Sequence, residues 1–133
     1  MWKMTNIASY LNHPESVRSA RHFAREVLAG RGVAEERLAL AELLVSELAS
    51  NAVKHATTSF TLAIKVKDAI IRIEVTDTGS GQPTLKHPRP DQPDGRGLLI
   101  VESLSDAWGT TVERDSKTVW CILSARLPAN SER

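Results

Sequence analysis

Glu47 and Asn51 are four residues apart, so in a helix they project from the same face. Mg²⁺ needs only one or two protein oxygens when phosphate oxygens complete its shell, and the amide oxygen of Asn51 suits that purpose. Glu47, one turn earlier, could accept a proton from a hydroxyl or a water near a terminal phosphate. Lys54 or His55, one turn later, could meet phosphate charge. The same residue types are also typical of a solvated helix face, so this group alone leaves both interpretations open.

A glycine-rich run with one acid, Asp77-Thr-Gly79-Ser-Gly81, follows a predicted strand. Glycines allow the turns and the close backbone approach that a flat ring or a phosphate demands. The carboxylate of Asp77 could accept a hydrogen bond from an exocyclic amine such as that of adenine. An ordinary Asp/Gly turn would have the same composition.

A second glycine pair, in Gly95-Arg96-Gly97, precedes a short helix that is predicted to open at Leu98. Backbone N–H groups at a helix N-terminus form an anion site, although a tight turn with an N-capping glycine would also explain the pair. The GxxxxGK[ST] pattern of a P-loop is absent, as are Ser-His-Asp and HExxH arrangements. The four histidines show no metal-ligand spacing.

Two helices are predicted ahead of the strands and position the first group. One begins near residues 14–16 and stops at Gly30, and a longer one runs from about Ala34 to about Ala56. At about 100° per residue, one face of the longer helix is apolar throughout, while the opposite face is apolar only in its N-terminal half. This pattern predicts burial between two layers, with Glu47 and Asn51 placed where a cavity opens.

Alternating segments after the helices predict two antiparallel hairpins. Their strands are 60–66 with 71–75, and 108–114 with 118–127. Residues 82–94 contain four prolines and neither a helical nor a strand period, so they predict a loop. The order of helix, helix, two strands, helix and two strands predicts an α+β fold, a two-layer sandwich of helices on a mostly antiparallel sheet.

Length and composition predict one soluble domain. The 133 residues carry a net charge of +1 without a basic run, which argues against nucleic acid as a partner. The single cysteine, Cys121, excludes an internal disulfide and is expected in the core. The sequence has no signal-peptide pattern and no apolar stretch of membrane-spanning length, so a cytoplasmic location is expected. Residues 1–13 and 128–133 are expected to be tails around a domain at 14–127.

Taken together, the three groups resemble the GHKL superfamily of ATP-binding proteins, which includes gyrase and the histidine kinases. The segment 47–56 (ELASNAVKHA) resembles the N box, 77–81 (DTGSG) the G1 box, and 95–98 (GRGL) the G2 box. The proline-rich residues 82–94 stand where the ATP lid of that superfamily lies. Each box is weakly specific, but the ordered set of three is strong.

Within the superfamily, the chain is most similar to the compact bacterial anti-sigma factor serine/threonine kinases. It is short and has no helix pair for dimerisation and phosphoacceptance. Three further segments point the same way: 16–21 (SVRSAR), 107–109 (AWG) and 117–120 (KTVW).

The resemblance implies an ATP pocket between the helical layer and the sheet. In that pocket Asn51 would hold Mg²⁺, and Glu47 would be the general base toward a serine or threonine of a protein substrate. Asp77 would bind the adenine amine, and Gly79 and Gly81 would line the ring. The remaining residues with an implied role in ATP binding are Lys54, His55, Gly95, Arg96, Gly97 and Leu98.

The resemblance also implies partners: a sigma factor, whose control regulates transcription, and an antagonist (anti-anti-sigma) protein that is phosphorylated. A homodimer is a further expectation. Two alternatives stay open, namely a non-catalytic ATP-binding regulatory module and a detached ATPase domain of the histidine-kinase type. The intact Glu47 argues against the first, and the lack of a phosphoacceptor histidine on a long helical hairpin argues against the second.

Overall fold

The computed structural model describes residues 4–56, 58–78 and 93–126, apart from the side chains of residues 93–97. The described chain forms three helices and five strands. In chain order these are β1 (Met4–Tyr10), α1 (Glu15–Ala29), α2 (Glu35–His55), β2 (Phe60–Lys67), β3 (Ile70–Asp77), α3 (Pro93–Leu104), β4 (Ala107–Val112) and β5 (Lys117–Ser124). The strands form one antiparallel sheet in the order β1-β2-β3-β5-β4, and the helices pack on one of its faces. The predicted α+β sandwich is thereby confirmed.

The first strand corrects the expectation that residues 1–13 form a tail. Met4–Tyr10 pair with β2 along their whole length, and their side chains alternate between half-buried and exposed. The inward-facing set includes Asn6 and Ala8, whereas Ile7 faces outward with 62% of its surface exposed. The usual alternation of polar and apolar residues is therefore missing, and pairing with β2 is what makes this segment a strand.

The two long helices begin and end where the sequence predicts. Glutamates lie in the first turn of α1 and of α2, and Lys54 and His55 lie in the last turn of α2, which suits the helix dipole in each case. The side chain of Arg25 on α1 bonds to Glu35 and Glu42 on α2 and ties the two helices together. Among the described helices, none combines the length and apolar character needed to cross a membrane.

The prediction that α2 is buried between two layers is wrong. One face of α2 packs on the sheet, and its flanks meet α1 and α3. Leu44 and Leu48 are fully buried on this helix, but Leu43 is 40% exposed. The apolar residues opposite the sheet therefore serve the contacts with neighbouring helices and do not lie under a second layer.

The third helix begins earlier than predicted. It starts at Pro93, so Gly95–Gly97 lie in its first turns and do not precede a helix opening at Leu98. Proline fits the first helical position because its fixed φ is helical and its missing N–H would have had no partner there. The rest of the predicted loop falls in residues 79–92, outside the described residues.

Both predicted hairpins are confirmed. The β2–β3 turn consists of Asp68 and Ala69, and Asp68 has a φ of 55°, a left-handed conformation that Asp tolerates better than most residues. The β4–β5 hairpin differs from the prediction by a few residues at its ends. Cys121 is fully buried in β5, as expected, and burial raises the pKa of its thiol to about 12.

Candidate functional site

The C-terminal ends of α2 and β3 lie at the same edge of the molecule. Only residues 56–59 join the end of α2 to Phe60, a link that spans at most about 18 Å. Phe60 is paired directly with Asp77, the last residue of β3. The side-chain amide of Asn12 donates to the carbonyl oxygens of Ala56 (2.7 Å) and Thr58 (3.2 Å), which fixes the link against the start of α1. The fold thus brings the N-box segment and Asp77 to one place.

Glu47 projects from α2 on the side away from the sheet and Asn51 from a flank of the helix, and both are half-buried. Glu42 marks the flank of α2 that meets α1, since Arg25 bonds to it. At about 100° per residue, Asn51 lies about 40° further around the helix than Glu47. That rotation leads away from Glu42 and toward the flank that carries the buried Leu48. Because α2 lies between α1 and α3, that flank is the α3 side. Asn51 therefore faces the flank of α2 that meets α3.

Lys54 and His55 occupy the last turn of α2 at the same edge, and both are exposed. The ammonium group of Lys54 suits the negative end of the helix dipole whether or not a ligand is bound. The position of the two residues suits contact with phosphate, but a role in stabilising the helix end explains it equally well.

Asp77 lies on the helix-facing side of the sheet and is half-buried. It is two residues beyond the buried Val75, and side chains two apart in a strand share a face. Its partners in the sheet are Phe60 on β2 and Lys117 on β5. Asp77 therefore has Phe60 beside it on one neighbouring strand and Lys117 on the other, at the end of the buried face of the sheet.

The two glycine boxes are described only in part. Gly79 and Gly81 lie outside the described residues, so their expected place beside a ring stays a prediction. The backbone of Gly95, Arg96 and Gly97 is helical, and the amides of an α-helix's first turn have no partner within the helix. Leu98 is half-buried and packs against the core.

The residues around Asn51 suit a Mg²⁺ ion that binds mainly through phosphate. Asn51 is half-buried, and its side-chain amide could supply one neutral oxygen. Within the ranges described above, no group of three or more His, Cys, Asp or Glu residues is placed to hold a metal ion by itself. Such a small donor set matches the habit of Mg²⁺, which keeps several waters and takes phosphate oxygens as further ligands.

Lys117 lies beside Asp77 in the sheet but is not among the site residues predicted from the sequence. The predicted strand begins only at residue 118, whereas β5 begins at Lys117, and the alternation through Val119 and Cys121 then puts Lys117 on its buried side. The sequence could not indicate that β5 pairs with β3 in the register that sets Lys117 opposite Asp77.

Comparison with known proteins identifies the domain. The model of a family described as the histidine kinase-like ATPase domain matches residues 11–123. The fold is similar to that in a crystal structure of the RsbU and RsbW domains of Rv1364c from Mycobacterium tuberculosis, with a TM-score of 0.70 and 21% sequence identity. The match covers 91% of this chain and 32% of that one, so this chain spans about a third of its length. No curated protein sequence matches significantly.

Proposed function

The chain belongs to the family of histidine kinase-like ATPase domains, and on that premise we propose that it is a protein serine/threonine kinase of the anti-sigma factor type. Membership of this family implies that the chain binds ATP. The GHKL fold and the likeness to a structure that contains an RsbW domain support the same class. The phosphate acceptor and the binding partners form part of the proposal.

One observation carries the proposal: Glu47 and Asn51 lie one turn apart on α2, and Asn51 is turned toward the flank that meets α3. Both are half-buried, and the adjacent Leu48 is fully buried, so the helix that carries them is anchored in the core. A carboxylate and an amide on an anchored helix are held in fixed positions, which suits contact with a bound ligand better than contact with bulk solvent. Asp77 stands at the same edge, at a separate point for the base of the nucleotide.

In the proposed complex each end of ATP has its own residues. The carboxylate of Asp77 accepts a hydrogen bond from the amine of adenine, and Gly79 and Gly81 line the ring. The first amides of α3, around Gly95 and Arg96, donate to phosphate oxygens, because a helix N-terminus attracts anions. Mg²⁺, bound by Asn51, would neutralise phosphate charge.

The proposed reaction is transfer of the terminal phosphoryl group to a serine or threonine hydroxyl of a partner protein. Glu47 accepts the proton of that hydroxyl as its oxygen bonds to phosphorus, and the bond from phosphorus to the oxygen of ADP breaks. Most of the rate enhancement in such reactions comes from positioning and charge stabilisation. A single general base contributes about 10²–10⁴-fold.

The proposed partners follow from the same class. An antagonist protein accepts the phosphate, and a sigma factor is bound or released according to the state of that antagonist, which makes the chain a regulator of transcription. We place the chain in the cytoplasm, where these partners act, and expect it to form a homodimer.

Phosphorylation of a panel of antagonist proteins with Mg·ATP tests the proposal. The Glu47→Ala variant should transfer phosphate at least about 10²-fold more slowly and still bind ADP. Asp77→Asn should instead weaken ADP binding itself. Glu36→Ala is the matched control, because Glu36 is exposed in the first turn of α2, and it should change neither property.

The outcomes separate the parts of the proposal. A Glu47→Ala chain that phosphorylates as fast as wild type would remove the base assignment, and undiminished ADP affinity in Asp77→Asn would remove the adenine assignment. A wild-type chain that binds Mg·ATP but transfers phosphate to no antagonist would favour the non-catalytic module. Binding is read as thermal stabilisation, about 3 kcal/mol at a hundredfold excess of ligand over its dissociation constant.

A further inference from the structure

The helix-facing side of the sheet carries two charged residues among the described strands, and the two are direct neighbours. Inward-facing positions on all five strands are otherwise apolar, aromatic or uncharged, and Asp77 and Lys117 are the exceptions. The two residues are opposite each other in the β3–β5 register. Directly opposed residues have Cβ atoms about 5 Å apart, so the two side chains leave the sheet at the same place and on the same face.

The charged residues on the other face of the sheet have a different explanation. Lys65 and Arg72 both pair with Glu74, and the guanidinium group of Arg72 lies 4.4 Å from the ring centroid of Trp120. Each of these charged side chains therefore has a partner on its own face of the sheet. Lys117 is set apart from them, because it lies on the opposite face, where a charge borders the core.

The surroundings of Lys117 make a purely solvated role a poor explanation. It is half-buried, and the next inward-facing residue of its strand, Val119, is 5% exposed. Phe60, on the far side of Asp77, is 1% exposed. Apolar neighbours weaken dielectric screening, so a hydrogen bond from this ammonium group to a ligand is stronger than one on an open surface.

We propose that Lys117 is a second base-recognition residue, which donates a hydrogen bond to a ring nitrogen of adenine while Asp77 accepts one from the neighbouring amine. An ammonium group only donates and a carboxylate only accepts. The amine edge of adenine offers one donor beside a ring-nitrogen acceptor, the matching pattern. This inference rests on the proposed binding of ATP at Asp77 and adds a residue that determines base specificity.

Calorimetric titration of the full chain with ADP and with two ADP analogues tests the inference. In each analogue a CH group replaces one of the ring nitrogens that flank the amine. Wild type should bind one analogue about tenfold more weakly than ADP, the expected loss of a hydrogen bond to a charged donor. Lys117→Met should bind ADP about tenfold more weakly and no longer distinguish that analogue from ADP. Lys117→Arg should retain the distinction, because it keeps a donor.

Lys67→Met is the matched control, because Lys67 is at the end of the β2–β3 pair that is far from Asp77. The ADP affinity of this variant should equal that of wild type. Two results would overturn the inference while the proposed function stands. One is a folded Lys117→Met chain whose ADP affinity stays within about twofold of wild type. The other is a wild type that binds ADP and both analogues equally well. A wild type with no affinity for ADP would instead contradict the proposed function itself.

Discussion

Gly109 on β4 has no room for a side chain. A Cβ atom there would lie 2.7 Å from the Cζ2 atom of Trp120, whose indole covers the glycine on the outer face of the sheet. On its other side, the indole is held by the guanidinium group of Arg72, at 4.4 Å from the ring centroid. Arg72 is in turn hydrogen-bonded to Glu74 at 2.6 Å. The ring therefore cannot move without disturbing this network.

The Gly109→Ala variant should consequently lose stability. The ring must retreat by at least about 0.7 Å to reach an ordinary contact of 3.4 Å. Overpacking of this kind costs about 1–3 kcal/mol, and the lower entropy of the unfolded alanine chain offsets about 0.4–1 kcal/mol. We expect a net loss of up to about 2.6 kcal/mol in the free energy of unfolding. For a domain of this size that lowers the melting temperature by on the order of 4 °C per kcal/mol.

Thermal and urea denaturation measure this loss, and a second background tests its cause. In a Trp120→Leu chain the indole is gone, so Gly109→Ala should be neutral there or stabilising by up to about 1 kcal/mol. An equal loss in both backgrounds would show that the backbone of β4, not the indole, rejects the side chain. A gain of about 1 kcal/mol in the wild-type background would refute the steric argument altogether, because the entropic offset would then act with no cost of overpacking.

Two further predictions concern the core. Burial raises the pKa of the Cys121 thiol from 9.0 to about 12, so above about pH 9 the unfolded chain loses a proton that the folded chain keeps, and stability falls as the pH rises toward 12. Urea titrations between about pH 9 and 11 measure how the free energy of unfolding changes with pH. The slope for Cys121→Ala should be less steep than that of wild type, by up to about 1.4 kcal/mol per pH unit. Equal slopes for the two chains would contradict the raised pKa of Cys121. Leu48 is fully buried on α2, so Leu48→Ala should lower the free energy of unfolding by about 2–5 kcal/mol in the same assay. Leu43→Ala, at a half-exposed position of the same helix, is the control. If both variants lose a similar amount, Leu48 does not anchor the helix.

The helices and hairpins could be predicted because their signals are local. The limits of α2 follow from its apolar period and its charged end turns, and the β2–β3 hairpin follows from strict alternation around Asp68. β1 escaped prediction because Asn6 faces inward and Ile7 outward, so its strand conformation depends on a partner about fifty residues away. The start of α3 was misplaced because Gly95 and Gly97 have poor helix propensity, which the tertiary fold overrides.

The candidate site divides in the same way. The sequence determined which chemical groups are present, namely a carboxylate and an amide one helical turn apart in Glu47 and Asn51, and an acid at a strand end in Asp77. These properties follow from the fixed rise and rotation per residue of each element.

Only the tertiary structure decided which of these groups meet. The order of the strands places β5 beside β3, and their register sets Lys117 opposite Asp77. The packing of α2 between its neighbours turns Asn51 toward α3. Register and packing depend on contacts between distant segments, and a shift of one residue would put Lys117 on the other face of the sheet. The placement of Asp77 and Lys117 side by side at the end of the buried face is therefore a property of the fold.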